Sequence, residues 1–269
     1  RFTFTVACPN QRLVFFTNDS KTDVAYGPIT YLWEFGDPRN STSTILNPTF
    51  TYPALGNYSV KLTVTNGGCT SVYTDLIKLN NDTADFSVSK TTICKNELFT
   101  VTAINSSPVN ISKYEWSFDG SPFMDLGPVT STSFTTIGPH PISLVITDIN
   151  GCTDTLTRNS AVNVFGPTAN FIPVKSGGCR NTIITFNDLS NSASTIVSWA
   201  WDFGDGVTQV YTAPPFTHQY TDTGVYLVKL TITDIGGCSD TYTFPTGIII
   251  TQPATFFSAL PILVCPGAT

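Results

Sequence analysis

The chain is poor in charged residues and histidine and has no long apolar run, and each shortage excludes a class of function. Only 12% of its 269 residues are charged, about half the usual share for a soluble domain. The net charge is −6 without any cluster of Lys or Arg, so we expect no nucleic-acid partner. No stretch of about 18 apolar residues occurs, so we expect no membrane span in this segment.

The two ends of the sequence resemble interrupted elements. "RFTF" at the start is typical of the inside of a strand, and "VCPGAT" at the end is typical of the beginning of another element. No signal peptide is recognisable. We therefore expect the chain to be a piece of a longer protein.

Thr, Ser, Asn, Gly and Pro are abundant, which favours strands and turns. Within this composition a Trp-x-Phe motif occurs three times, with the tryptophans 83 and then 85 residues apart. Two residues of one strand that are two positions apart point to the same face, so each pair is expected to anchor a core. The pairs are Trp33 and Phe35, Trp116 and Phe118, and Trp201 and Phe203.

The repeat predicts three domains and part of a fourth. We expect repeats at 1–81 (with a truncated first strand), 82–165 and 166–251, and the start of another at 252–269. Short alternating runs separated by turn residues every 8 to 12 positions are typical of a seven-stranded β-sandwich. In the third repeat we expect strands near 168–175, 182–189, 196–203, 207–212, 216–220, 225–234 and 239–250.

The stretch "WDFGDG" followed by "FTHQYTDTGVYLVKLTITD" is similar to the PKD domain, an immunoglobulin-like module. The second repeat departs from this signature at Ser117 and at Asp119-Gly120, and the first departs at Glu34 and Pro38. The added "GGC" turns resemble those of many-repeat PKD proteins, the giant surface adhesins that gliding bacteria export by type IX secretion. The resemblance implies an all-β chain of immunoglobulin-like sandwiches arranged end to end.

Asp202-Phe203-Gly204 matches a magnesium-binding string of kinases, but the other kinase motifs are missing. We interpret residues 204–206 as a structural turn in which glycine supplies a positive φ. The two histidines, His140 and His218, lie in different repeats without a nucleophile beside them. The resemblance assigns His218 to packing and hydrogen bonding. We therefore expect no enzymatic activity and no catalytic residues.

Carboxylates flank the cysteine turns of the second and third repeats, and they are weak candidates for a calcium site that stiffens the junctions. They are Asp148, Asp154, Asp234 and Asp240. The alternative is a solvated acidic turn without metal, and no other cofactor is expected. Two tripeptides, "DTA" and "DTL", fit an O-glycosylation motif that the resemblance implies, with Thr83 and Thr155 as acceptors.

Seven cysteines in a low-charge β-repeat chain indicate an oxidising, extracellular setting. Pairing within each repeat would give Cys8–Cys69, Cys94–Cys152 and Cys179–Cys238. In an immunoglobulin-like sandwich, however, the two cysteines of one repeat lie at opposite poles. The resemblance therefore favours Cys8–Cys152 and Cys94–Cys238, and leaves Cys69, Cys179 and Cys265 to pair with neighbouring repeats. Both schemes remain open from the sequence.

Two functions compete. The first is a structural and adhesive filament or stalk at the cell surface, whose partners are further repeats of the same chain, surface glycans, or other surface and secretion proteins. The second is a carbohydrate- or protein-binding accessory module of a secreted multidomain enzyme. Exposed aromatic residues would support sugar binding, and the candidates are Trp199, Tyr211 and Tyr242.

Overall fold

The computed structural model describes residues 1–8, 10–22, 27–104 and 107–253. Every regular element in them is a β-strand apart from one 3-10 turn at Pro108–Asn110. This confirms the all-β prediction. The strands belong to two compact units. The first contains residues 1–93, 97–134 and 138–163, and the second contains 94–96, 135–137 and the chain from 164 onward.

The described residues of segment 1–81 form seven strands in two sheets. One sheet has the order β1-β2-β5 and the other β4-β3-β6-β7, with antiparallel pairing throughout. The strands are β1 (Phe2–Ala7), β2 (Asn10–Asn18), β3 (Ile29–Glu34), β4 (Thr42–Ser43), β5 (Thr49–Thr51), β6 (Gly56–Asn66) and β7 (Cys69–Leu79).

Segment 82–165 repeats this arrangement with its first strand divided between the two sheets. The sheet orders are β13-β10-β8 and β12-β11-β14-β15-β9. The strands are β8 (Phe86–Val88), β9 (Thr92–Cys94), β10 (Phe99–Ala103), β11 (Ile111–Phe118), β12 (Met124–Asp125), β13 (Val129–Thr132), β14 (Gly138–Asp148) and β15 (Thr153–Phe165).

Segment 166–251 forms three sheets, β16-β18-β21, β17-β25-β22 and β20-β19-β23-β24. Its strands are β16 (Phe171–Pro173), β17 (Gly177–Cys179), β18 (Ile183–Asp188), β19 (Ile196–Asp202), β20 (Thr208–Tyr211), β21 (Phe216–Gln219), β22 (Gly224–Tyr226), β23 (Lys229–Asp234), β24 (Ser239–Thr243) and β25 (Ile248–Thr251). The predicted start of a further repeat reaches into 254–269, which lies outside the described residues.

Two strand predictions for this segment were wrong. The run 225–234 is divided into β22 and β23, and the run 239–250 is divided into β24 and β25. Pro245 lacks a backbone N–H and Gly247 has φ +68°, so the chain cannot continue the ladder through them. The short strand β17, which pairs in parallel with β25, was not predicted.

The three tryptophans of the repeated motif are buried in the sandwich cores, with at most 1% of each side chain exposed. Each has a phenylalanine of the first strand against its ring, at centroid distances of 5.1 Å (Phe2), 5.5 Å (Phe86) and 4.7 Å (Phe171). Strand β6 shows the expected alternation, because Val60, Leu62 and Val64 are buried while the residues between them are half-buried.

Phe118 departs from the prediction, because it is only half-buried whereas Phe35 and Phe203 are buried. The next residue explains the difference. Gly36 and Gly204 have positive φ, and a Cβ on them would lie 2.3 and 2.8 Å from backbone oxygens of the neighbouring strand region. Asp119 also has positive φ but carries a Cβ. Its turn therefore needs more room, which leaves Phe118 partly uncovered.

Candidate functional site

Two disulfides each join one repeat-length segment to the next. Cys8 is bonded to Cys152 and Cys94 to Cys238, with Cα–Cα distances of 5.1 and 5.3 Å, in the range that disulfides require. Each bond spans 144 residues of sequence. The structure thus has the pairing between repeats and not the pairs Cys8–Cys69, Cys94–Cys152 and Cys179–Cys238.

Cys69 and Cys179 are exposed free thiols, and Cys265 lies outside the described residues. Cys69 occupies a different kind of turn from Cys152 and Cys238, the cysteines at the corresponding places of the later segments. Asn66 pairs directly with Cys69, and the two glycines between them have φ +58° and +88°, as in a two-residue hairpin turn. In the later segments three residues lie between Asp148 and Cys152 and between Asp234 and Cys238.

The turn before Cys152 is held by a buried carboxylate. Asp148 is 3% exposed, and its Oδ1 accepts hydrogen bonds from the backbone N–H groups of Asn150 and Cys152, both at 2.8 Å. Asp234, also 3% exposed, accepts the N–H of Cys238 at 3.0 Å. These aspartates fix the position from which each bonded cysteine projects. The interpretation as a solvated acidic turn was therefore wrong for Asp148 and Asp234.

The same turn contacts the chain that leads out of segment 1–81. Asn150 Nδ2 donates to the carbonyl of Lys78 at 2.9 Å and to Asn80 Oδ1 at 3.1 Å. Asn80 Nδ2 in turn donates to Asp82 Oδ2 at 2.5 Å. A polar network thus lies beside the Cys8–Cys152 bond and orders the backbone that connects the two segments.

The second aspartate of each candidate pair holds the start of its own segment. Asp154 Oδ2 accepts the N–H of Ala84 at 2.7 Å, and Asp240 Oδ2 accepts the N–H of Ala169 at 2.9 Å. Asp240 also pairs with Lys95 Nζ at 2.7 Å, and both side chains are less than one-fifth exposed. Lys95 follows Cys94 directly, so this ion pair lies next to the second disulfide in sequence.

All four calcium candidates thus serve as hydrogen-bond acceptors for the backbone. In the parts of the chain that the structure describes, no three His, Cys, Asp or Glu side chains are grouped to hold a metal ion. A calcium site at these turns therefore stays a prediction, and the structure supplies another role for each carboxylate.

Both histidines pack on a phenylalanine and reach an aspartate. His218 stacks on Phe203 at 4.0 Å, with Nε2 2.7 Å from Asp205. His140 stacks on Phe134 at 4.0 Å, with Nδ1 2.8 Å from the carboxylate of Asp119. These contacts give both side chains roles in packing and hydrogen bonding.

His140 also takes the place of a tyrosine. It is the third residue of β14, as Tyr58 is of β6 and Tyr226 of β22. Both tyrosine hydroxyls donate at 2.8 Å to a carbonyl four residues earlier. This equivalence could have been found by aligning the three glycines that begin those strands.

The loop 203–207 is a structural turn. Gly204 and Gly206 have φ +81° and +90°. Asp202 and Asp205 accept the N–H groups of Gly204 and Val207, two residues further on, at 3.0 and 3.1 Å. This is the bonding of an Asx turn, in which one oxygen of Asp205 bonds the loop's own backbone and the other contacts His218.

Asp37, in the equivalent turn of the first segment, is 2% exposed. Its carboxylate accepts bonds from Ser41 N–H at 2.7 Å, Ser41 Oγ at 3.0 Å and Arg39 N–H at 3.2 Å. Burial acts to raise the pKa of Asp37, but these hydrogen bonds outweigh it and hold the pKa below its usual value. The ionised carboxylate therefore stabilises this turn.

The aromatic residues singled out for sugar binding pack at the edge of a core. Trp199 and Tyr211 lie 5.7 and 5.3 Å from the ring of Phe216, and Tyr242 lies 5.5 Å from Phe171. The indole N–H of Trp199 donates to Asp188 at 2.6 Å. All three are partly buried, so they contribute to packing and do not form an open aromatic platform.

Thr83 and Thr155 are both exposed, and their modification stays a prediction. The described residues include no helix with the length and hydropathy needed to cross a bilayer.

The sequence profile described as "PKD domain" matches residues 4–79 and 166–247, which is more than half of the chain. The pre-pro-metalloprotease PrtV of Vibrio cholerae serotype O1 (strain M66-2) is 46% identical over 61 residues, which cover 23% of this chain and 6% of that protein. A microbial collagenase of Vibrio alginolyticus is 40% identical over 91 residues, which cover 33% of this chain and 10% of the collagenase.

Among solved structures, the PKD1 domain of the V. cholerae metalloprotease PrtV is 36% identical, with a TM-score of 0.26. The match covers 29% of this chain and 91% of that domain. The matches to the full-length metalloprotease and to the collagenase cover only 6% and 10% of those proteins, so the chain is similar to a small part of each.

Proposed function

The chain belongs to the PKD domain family, and from this we propose that it is a non-catalytic structural segment of an extracellular filament or stalk with adhesive function at the cell surface. PKD domains are non-catalytic modules. The observation that carries the proposal is the pair of disulfides that bond successive segments to each other. Such bonds suit an oxidising location and resist separation of the repeats.

We place the repeats at 1–81, 82–165 and 166–251 and propose further repeats of the same chain as the first partners. Cys179 ends β17 as the bonded Cys94 ends β9. Cys69 begins β7 directly after a turn, and the bonded Cys152 and Cys238 lie directly before β15 and β24. Both free thiols are exposed. We propose that each forms the same kind of bond with a neighbouring repeat.

A finer identification rests on the sequence resemblance alone. The glycine-cysteine turns, the low charge and the tandem repeats support an adhesin of gliding bacteria exported by type IX secretion. Exposed Thr83 and Thr155 suit glycosylation of such a surface protein. Surface glycans and other surface or secretion proteins are its proposed ligands.

The second candidate is an accessory module of a secreted enzyme that binds carbohydrate or protein. The named relatives favour it, because one is a metalloprotease and the other a collagenase. Under this alternative the repeats would hold or orient a catalytic domain elsewhere in the same polypeptide.

Antibodies raised against the chain distinguish the two candidates in the source organism. For a filament we expect labelling of intact cells that disappears after brief protease treatment of the cell surface, with a cytoplasmic protein as the protected control. A band far larger than 29.1 kDa should appear in the surface fraction. Antigen found only in the culture medium, on a polypeptide with peptidase activity, would contradict the filament and support the accessory module.

A further inference from the structure

The two disulfides enclose stretches of chain that overlap. Cys8–Cys152 encloses the backbone between residues 8 and 152, and Cys94–Cys238 encloses the backbone between 94 and 238. The stretch 94–152 belongs to both loops. The two bonds are therefore linked through a shared piece of backbone, unlike disulfides that close separate loops.

When the chain is pulled from its ends until every strand has unfolded, the overlap of the two disulfide loops determines which covalent path carries the tension. The shortest covalent path crosses from Cys8 to Cys152, returns along the backbone to Cys94, and crosses to Cys238. It contains 58 residue steps (152 back to 94), whereas the direct backbone contains 230 (8 to 238). At about 3.5 Å per residue these are about 200 Å and about 800 Å.

We propose that the overlapping disulfides make this chain a tether of limited extension, a mechanical function beyond adhesion or support. With both bonds intact, unfolding of every strand between Cys8 and Cys238 releases only about a quarter of the backbone's length. The inference rests on the disulfide connectivity, so it applies equally to a surface filament and to an accessory module.

The path also determines which strands carry tension at the limit. Strands β2 to β9 lie between Cys8 and Cys94 and are bypassed, and so are β15 to β23, which lie between Cys152 and Cys238. Of the strands in the described residues between the bonded cysteines, those on the loaded path are β10 to β14. Strands β10 to β14 of the middle repeat thus carry the tension, while the backbone between 8 and 94 and between 152 and 238 is slack.

The overlap predicts that removal of the two bonds is strongly non-additive. If either bond is absent, the shortest covalent path has 86 residue steps (8 to 94, or 152 to 238). The maximum extension of the chain then rises by about 28 steps, or about 100 Å. If both are absent it rises by about 172 steps, or about 600 Å. Bonds that close separate loops would instead give two increases that add up to the total.

Optical tweezers with handles joined to peptide tags at both ends of the full chain measure this limit. The variants are Cys8→Ser with Cys152→Ser, Cys94→Ser with Cys238→Ser, and all four together. Before measurement, the exposed thiols of Cys69 and Cys179 are alkylated in the native state. We expect increases in final contour length of about 100, 100 and 600 Å over the parent chain.

Reduction of the parent chain while it is held under tension provides a measurement that does not depend on variant folding. Reduction should lengthen the chain by about 600 Å, the increase expected for the variant that lacks all four bonded cysteines. Single-bond increases that sum to the double-bond increase, or no lengthening on reduction, would overturn the inference. A parent protein that proves to be a secreted enzyme would overturn the filament proposal and leave these lengths unchanged.

Discussion

The three repeated tryptophans should differ in what their replacement by phenylalanine costs. Trp33 Nε1 donates to the carbonyl of Ile45 at 2.9 Å, and Trp116 Nε1 donates to that of Gly127 at 2.9 Å. Trp201 Nε1 is buried, and no protein acceptor in the described part of the chain accepts its hydrogen bond. All three side chains are at most 1% exposed, so the loss of ring volume is matched among them.

The difference follows from the hydrogen bonds. Trp33→Phe and Trp116→Phe each lose a bond worth about 1 kcal/mol net and leave a carbonyl without its donor, whereas Trp201→Phe removes a donor that already lacks an acceptor. An unsatisfied buried donor costs about 1–3 kcal/mol. We therefore expect Trp201→Phe to cost about 2 kcal/mol less than the other two substitutions.

Native-state hydrogen exchange followed by mass spectrometry reports each repeat separately. The informative amides are those of β6, β14 and β23, the strands that pair with the tryptophan-bearing strands. About 2 kcal/mol corresponds to a roughly 30-fold difference in the increase of exchange rate. Equal increases for all three variants would refute the reasoning, because they would mean that the indole N–H groups do not differ in their bonding.

Two further substitutions test the turns. Gly36→Ala places a Cβ 2.3 Å from the Ser59 carbonyl oxygen at φ +68°, whereas the control Gly120→Ala has nearly the same φ and nothing within 4 Å of its Cβ. We expect the control to lose about 1–2 kcal/mol of unfolding free energy and Gly36→Ala to lose about 1–3 kcal/mol more. Denaturant unfolding measures both losses, and equal losses would contradict the steric argument. Because the folded-state pKa of Asp37 is depressed, its stabilisation is complete above the unfolded-state pKa and is lost as the pH falls through the folded-state pKa. Asp37→Asn should therefore reduce the acid sensitivity of β3 and β4 exchange below about pH 4, and an unchanged pH profile would refute this.

Much of the fold could be predicted from residue spacing. A Trp-x-Phe pair every 83 to 85 residues marks the core of each sandwich, and alternation along residues 58–66 identifies an internal strand with one buried face. Such patterns are local consequences of strand geometry. The breaks at Pro245 and Gly247 were also visible as residues, but the alternation on both sides of them concealed the division of the strand.

The roles of the carboxylates at the junction depended on tertiary structure. Whether Asp148 is solvated or buried follows from the arrangement of its turn against Asn80 and Lys78, about 70 residues earlier. The shared pattern Asp-Ile-x-Gly-Cys at 148–152 and 234–238 was the available signal, since an aspartate before a glycine turn commonly accepts backbone N–H groups. Asn66, one residue closer to its cysteine, makes a different turn.

The central claim is that disulfides join successive repeats, and a tryptic peptide map without reduction tests it most directly. Cleavage after Lys and Arg places Cys8, Cys69, Cys94, Cys152 and Cys179 on separate peptides, and Cys238 on the peptide 230–269 with Cys265. We predict that peptide 2–12 is linked to 114–158 and that peptide 91–95 is linked to 230–269. Peptide 2–12 linked to 62–78 would show bonding within a repeat and would contradict both the tether and the covalently joined filament.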